Sequence, residues 1–330
     1  MAPTRSRLRR ILFAMLLGVV SAPLLLEFSL RIVGGAAPQP RTYAGEHEAR
    51  PGAHFVADPE LGWHMLPGTQ LQYPTEGRQC TYLADARGFR CDPNAREKGA
   101  RRLALLGDSF AWGAGVEYSE TFGALTAREL GDWSVSNWGM PGFGVDQIAQ
   151  TLRLRALPEQ PDLVLVAMYA WDFQRSLCAF REPEGMNKPV YRLEDGALMP
   201  RPIDDKPWAL WRLLDEHSHA FTAAKLLSWR LARRFPHGEW WHLNRALIER
   251  MIDDCQAAGV PIAFVHIPTT SWRSFPALKE LCLRREVPWL DLAANVSEPP
   301  AGIYYPVDKH LNAAGHQHFA TQIASWLRAP

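Results

Sequence analysis

Four short segments carry the residue types that chemistry needs. Ser109 stands in "LLGDSFAWG" (105–113), after a short apolar run and before any helix pattern begins. Asp308 and His310 stand two residues apart in "YYPVDKHLNAAGH" (304–316). A serine hydroxyl is a weak nucleophile and needs a general base within hydrogen-bond reach. His310 is a candidate for that base, and Asp308 is close enough in the chain to hold its ring and favour the imidazolium that forms. The glycines of "NWGMPGFG" (137–144) allow close backbone approach, so an N–H near Gly142 could face a developing oxyanion. "YAWDF" (169–173) adds Trp171 and Asp172.

Strands and helices must bring these segments together. Apolar runs predict strands at 102–106, 133–137, 162–168, 261–267 and 287–292, alternating with helical patterns. Ser119 reads as the cap of a helix carrying Phe122, Leu125 and Leu130, ended by Gly131; Asp146 reads as the cap of one carrying Ile148, Leu152 and Leu157. Leu247, Ile248, Met251, Ile252 and Cys255 share a helical face, Ser274 opens a helix with Leu278 and Leu281, and a last helix follows Asn312. That alternation predicts a parallel five-stranded sheet with crossover helices. In such a sheet ligands bind beyond the carboxyl ends of the strands, where strand order reverses. The four polar or glycine-rich segments follow strands one, two, three and five, so all are expected on one edge.

Other carboxylates and histidines have simpler readings. Asp172 and Asp291 also lie near strand ends, as rivals to Asp308 for the histidine's partner. Asp108, Asn137 and Asp172 read as braces of their loops. His316 and His318 point about 200° apart on a helix, which disfavours a shared metal ion, so no metal is expected. No dinucleotide fingerprint surrounds Gly113 and Gly115, and no cofactor is expected.

At these segments the chain resembles the SGNH (GDSL-type) hydrolase family, in its membrane-anchored bacterial form. "GDSFAWGAGV" is similar to the first block of that family, with Ser109 as nucleophile. "NWGMPGFGVDQ" is similar to the second, with Gly142 as the oxyanion glycine beside the Ser109 N–H. "DKHLNAAGH" is similar to the last, with Asp308 and His310. The third block departs: where the family has Gly-x-Asn-Asp, this chain has Tyr169-Ala170-Trp171-Asp172, so the donor asparagine falls on Trp171. The lead-in "DPELGWHMLPG…RGFR" is shared as well. The resemblance implies a flavodoxin-like three-layer α/β/α sandwich and ester hydrolysis or acyl transfer on carbohydrates, lipids or small esters.

The flanking sequence suggests where this chemistry would occur. Arg5, Arg7, Arg9 and Arg10 precede an uncharged run from Ile11 to Leu26, and Ile11–Leu30 covers the 20 residues that a transmembrane helix needs. The arginines place the N-terminus in the cytoplasm and the body outside. An uncleaved signal anchor over 1–35 is expected; cleavage at "VSA" or "GGA" would instead give a secreted protein. Residues 36–100 read as a linker and small lead-in, and 101–330 as the hydrolase-like domain with a helical insert at about 174–240, a cap, a lid or a membrane-contacting surface. In an oxidising compartment Cys80 and Cys91, flanking "TYLADARGFR", are the disulfide candidates. A net charge of +1 over 330 residues offers no basic footprint for nucleic acid. The expected partners are an ester substrate, a glycan or lipid, and the membrane through the N-terminal helix. The expected function is a serine esterase or deacylase outside the cytoplasmic membrane; the alternatives are an O-acyltransferase of surface polysaccharide or a glycan-binding protein of this fold.

Overall fold

The computed structural model describes residues 5–35, 54–92, 101–181, 186–201, parts of 210–227, 238–268, 276–293 and 300–329. Two compact units emerge: Met1–Arg41 with Asp204–Pro236, and Thr42–Ile203 with His237–Pro330.

The first unit contains helix α1, Arg5–Val33. Phe13, Leu17, Leu24, Leu25, Phe28 and Ile32 on it are exposed. Among the described residues no helix is long and apolar enough to cross a membrane; the side chains of residues 11, 12, 16, 19 and 20 lie outside that description. Glu27, the one acid in the apolar run, meets Arg31 at 2.7 Å as the i, i+4 spacing predicts. It also accepts from Ser218 Oγ and the backbone N–H groups of His219 and Ala220. Trp208, Trp211, Leu226 and Trp229 of the predicted insert fall outside the described residues.

The second unit opens with the antiparallel pair β1 (Phe55–Asp58) and β2 (Gly62–Met65). A three-stranded antiparallel sheet follows: β3 (Gln70–Thr75), β4 (Arg78–Ala84) and β5 (Arg90–Cys91). The alternating chain then supplies β6 (Arg101–Leu106), α2 (Ser109–Trp112), α3 (Phe122–Leu130), β7 (Trp133–Asn137), α4 (Val145–Thr151), β8 (Leu163–Tyr169) and α5 (Asp172–Arg175). Two small hairpins, β9 (Phe180–Arg181) with β10 (Met186–Asn187) and β11 (Val190–Glu194) with β12 (Ala197–Arg201), come next. Helix α6 (Gly238–Ala258), β13 (Ile262–Ile267), α7 (Pro276–Arg284), β14 (Trp289–Asp291) and α8 (Ala313–Arg328) complete it.

The central sheet runs β14-β13-β8-β6-β7, all parallel. In order of appearance that is the flavodoxin-like 2-1-3-4-5, and the order reverses between β6 and β8. Strand alternation makes it three-layered. Ala104, Leu106, Val164, Val166, Met168, Ile262 and Phe264 face α4, α6 and α7; Leu103, Leu105, Leu165, Ala167, Val265 and Ile267 face α3 and α8. All five strands fall within two residues of their predicted bounds. Two predicted caps move: Thr121, not Ser119, caps α3, and Gly144, not Asp146, precedes α4. Asn312 caps α8 as expected, accepting from the Gly315 N–H.

The Cys80–Cys91 disulfide is not formed. Strand register explains why. Cys91 pairs across from Leu83, three residues beyond Cys80, so the two thiols leave opposite faces of the sheet. Cys80 is buried and Cys91 half-buried. Cys255 and Cys282 are core thiols, pushed up to about 12 by burial.

Candidate active site

Helix α2 carries Ser109 at its first position, directly off β6. Gly107 permits that sharp exit: with φ at 153°, an added Cβ would meet Ala167 O at 2.7 Å. Asp108 caps α2, its carboxylate accepting from the Phe110 N–H at 2.9 Å. A single helical turn is not stable by itself. Arg90 secures this one, donating to the carbonyls of Trp112, Gly113 and Val116, where a cation suits a helix C-terminus. Burial lowers the Arg90 guanidinium to about 10, which leaves it charged at neutral pH. Tyr82 stacks on Trp112 at 4.2 Å and its hydroxyl accepts from the Gly115 N–H. The nucleophile segment is thus held by the antiparallel sheet that precedes it.

His310 Nε2 lies 2.8 Å from Ser109 Oγ, and His310 Nδ1 lies 2.9 Å from Asp308 Oδ2. An ionised carboxylate only accepts, so Nδ1 carries the proton and Nε2 is left to accept from the serine. The hydrogen bond from His310 is the main reason the Asp308 carboxyl is held below its ordinary value. Ser109 is buried, whereas Asp308 is 39% exposed. Asp291 is excluded as the histidine's partner, because it binds His266 Nδ1 at 2.9 Å. His316 sits in the core, accepting at Nδ1 from the Phe122 N–H, and burial lowers it to about 3.

Gly142 lies in a turn after β7. Phe143 N–H donates to Met140 O at 3.3 Å, Pro141 takes the second position, and Gly142 takes the third with φ of 80°. Those features define a type II turn, whose third residue favours glycine. The Trp63 indole donates to Pro141 O at 3.0 Å. A planar trans peptide points its C=O and N–H in opposite directions, so the Gly142 N–H is turned away from Trp63. The Asn137 side-chain amide donates to Ala111 O and its oxygen accepts from the Gly139 N–H.

Trp171 sits at the turn from β8 into α5, half-buried, its carbonyl accepting from the Gln174 and Arg175 N–H groups. Asp172 is fully buried and accepts from the Tyr169 N–H at 2.8 Å. Sequence reasoning missed Arg175. Its Nη1 lies 2.8 Å from both Asp108 and Asp172 and 3.1 Å from Phe143 O, tying the first, second and third blocks together. The local signal was only an Asp172–Arg175 pair at i, i+3; Asp108 is 67 residues away. Burial, then the neighbouring Asp108, raises Asp172 well above the usual carboxylate range despite Arg175. Lys188 and Asp146 form a second buried ion pair at the start of α4.

No protein-family profile matches the chain, and no curated protein matches it. Solved structures do. A putative lipolytic protein of the G-D-S-L family from Desulfitobacterium hafniense is 12% identical, with a TM-score of 0.40, covering 68% of this chain and 99% of its own. A catalytic mutant of an acetylxylan esterase from Geobacillus stearothermophilus is 13% identical, with a TM-score of 0.44, covering 71% and 96%. A lipase/acylhydrolase from Enterococcus faecalis is 16% identical, with a TM-score of 0.39, covering 68% and 94%. These are similarities of chain path, and no site residue is carried across from them. By its sheet order the chain has a flavodoxin-like three-layer α/β/α fold, with Asp308, His310 and Ser109 joined in a hydrogen-bonded series.

Proposed function

We propose that the protein is a serine esterase that removes ester-linked acyl groups from a carbohydrate or lipid. The observation that carries this reading is the continuous relay from Asp308 through His310 to Ser109, at 2.9 and 2.8 Å. His310 Nε2 takes the hydroxyl proton as Ser109 Oγ attacks the ester carbonyl carbon, and Asp308 stabilises the imidazolium. Collapse of the tetrahedral intermediate breaks the C–O bond of the alcohol, which leaves with the proton returned by His310. Water, deprotonated by the same histidine, then attacks the acyl-enzyme; the carboxylic acid departs and Ser109 is regenerated. The backbone N–H groups of Ser109 and Gly142 are the donors assigned to the oxyanion.

The same reading sets the reaction outside the cytoplasmic membrane. Four arginines before an apolar run and the exposed apolar side chains of α1 support an N-terminal anchor with the body on the far side. Trp171, standing where an amide donor is expected, is the observation that favours a second reading, a glycan-binding cleft with little turnover.

Labelling of the full-length protein with a fluorophosphonate, alongside turnover of a short aryl ester, tests the proposal. Covalent labelling at Ser109 and ester turnover, both lost in Ser109→Ala, are expected. A wild type that neither labels nor exceeds the Ser109→Ala background refutes the esterase and leaves the binding reading.

A further inference from the structure

The loop that carries Asp308 and His310 projects from the sheet edge. Its base is closed by Tyr305 N–H to His310 O at 2.8 Å and by Lys309 N–H to Tyr305 O at 3.2 Å. Its tip is surface: Val307 is 80% exposed. The tip's backbone donors at Val307 and Asp308 both go to one oxygen, Oε1 of Glu76, with the Val307 contact at 2.8 Å.

Glu76 sits at the turn between β3 and β4, more than 200 residues earlier. Thr75 pairs with Arg78, leaving a two-residue loop in which Glu76 has φ of 41° and Gly77 of 84°. Positive φ at both positions is the type I′ hairpin turn, whose first position favours asparagine, aspartate or glycine. Glutamate there occupies a conformation that L side chains rarely adopt. Strained backbone of this kind persists where surrounding interactions over-determine it. Here the turn aims the Glu76 carboxylate at the backbone N–H groups of Val307 and Asp308.

The same hairpin also grips the nucleophile segment. Cys80 Sγ donates to Gly115 O, Thr81 N–H donates to Glu117, and Arg78 pairs with Glu120. Tyr305, at the base of the acid–base loop, donates to the same Gly115 carbonyl at 2.6 Å. One β-hairpin therefore contacts both halves of the relay.

We propose that Glu76 is a positioning residue for the reaction. Its carboxylate pins the backbone at Asp308, which keeps the Asp308 side chain on His310 Nδ1 and His310 Nε2 on Ser109. The proposal rests on the esterase reading. Loss of the pin displaces Asp308 and His310, and displacements of about 1 Å in a catalytic constellation cost up to about 100-fold in rate.

The test uses full-length wild type and the variants Glu76→Gln, Glu76→Ala and Glu76→Gly, read by kcat and KM on a short aryl ester, fluorophosphonate labelling rate at Ser109, and Tm. Alanine and glycine both remove the acceptor but differ in backbone strain, so glycine melts higher. The expected result is a kcat lowered about 10- to 100-fold in both, KM within about twofold, labelling slowed in parallel, and glutamine restored to within about threefold because its amide oxygen still accepts. A kcat that climbs from alanine to glycine in step with Tm shows a merely structural role and overturns the proposal, as does a wild-type kcat in Glu76→Gly. A wild type that does not label at Ser109 overturns the esterase reading itself.

Discussion

Replacing Arg175 with methionine, of similar length but uncharged, is expected to destabilise the fold in a pH-dependent manner. The guanidinium is nearly buried and its Nη1 lies 2.8 Å from Asp108 and 2.8 Å from Asp172, which are 1% and 0% exposed. Removing one partner of a buried ion pair costs about 3–5 kcal/mol, because a charge is left uncompensated. For a domain of this size each kcal/mol lowers Tm by about 2–4 °C, so a fall of roughly 6–20 °C is expected. The pH dependence follows from Asp172, whose folded-state pKa is already above its ordinary 3.8 through burial and Asp108. Between the ordinary and the raised value the folded state holds a proton that the unfolded chain releases, so stability falls as pH rises through that window. Arg175 opposes this shift; without it the window extends to higher pH. Thermal unfolding followed by circular dichroism from pH 5 to 8 therefore shows the variant's deficit shrinking toward pH 5. A Tm loss under about 2 °C, or a deficit equal at pH 5 and pH 8, refutes the view that Arg175 compensates two buried carboxylates.

Trp171→Asn replaces the indole with an amide donor, and kcat is expected to rise by about 10² or more in steady-state ester hydrolysis; an unchanged kcat shows that the oxyanion is served by other groups. Asp308→Asn removes the anionic partner of the imidazolium, so kcat falls by about 10²- to 10⁴-fold with KM little altered, and retention of wild-type turnover assigns the orienting role elsewhere. Because the folded-state pKa of Asp308 is depressed, its contribution to stability is present above the ordinary 3.8 and lost as pH falls through the folded value; acid unfolding of Asp308→Asn lacks that step.

Much of the site is legible along the chain because a parallel sheet delivers every strand's carboxyl end to one edge. Apolar runs mark the strands, so reading the residues after each one assembles Ser109, Gly142, Asp172, Asp308 and His310 without coordinates. Asn137, expected as a brace, donates to Ala111 O and accepts from the Gly139 N–H. Caps are less legible: Thr121 and Ser119 are both good N-caps, and in the fold it is Thr121 that accepts from the Ala124 N–H. Cys80 and Cys91 fail as a pair for a similar reason. Their separation along the chain allows a bridge, and only the register of β4 against β5 shows the thiols on opposite faces.

Sequence alone suggests the kind of chemistry, since a serine, a histidine and an aspartate after successive strands can be read from local patterns of period two and 3.6. Tertiary structure decides how that chemistry is held. Arg175 reaches Asp108 across 67 residues, Arg90 closes α2 from a separate sheet, and Glu76 grips the backbone of Asp308 from a hairpin tip. Each depends on strand order and on the direction of one long side chain. Neither quantity is written in local periodicity, because residues distant in sequence become neighbours only once the sheet has closed around its core.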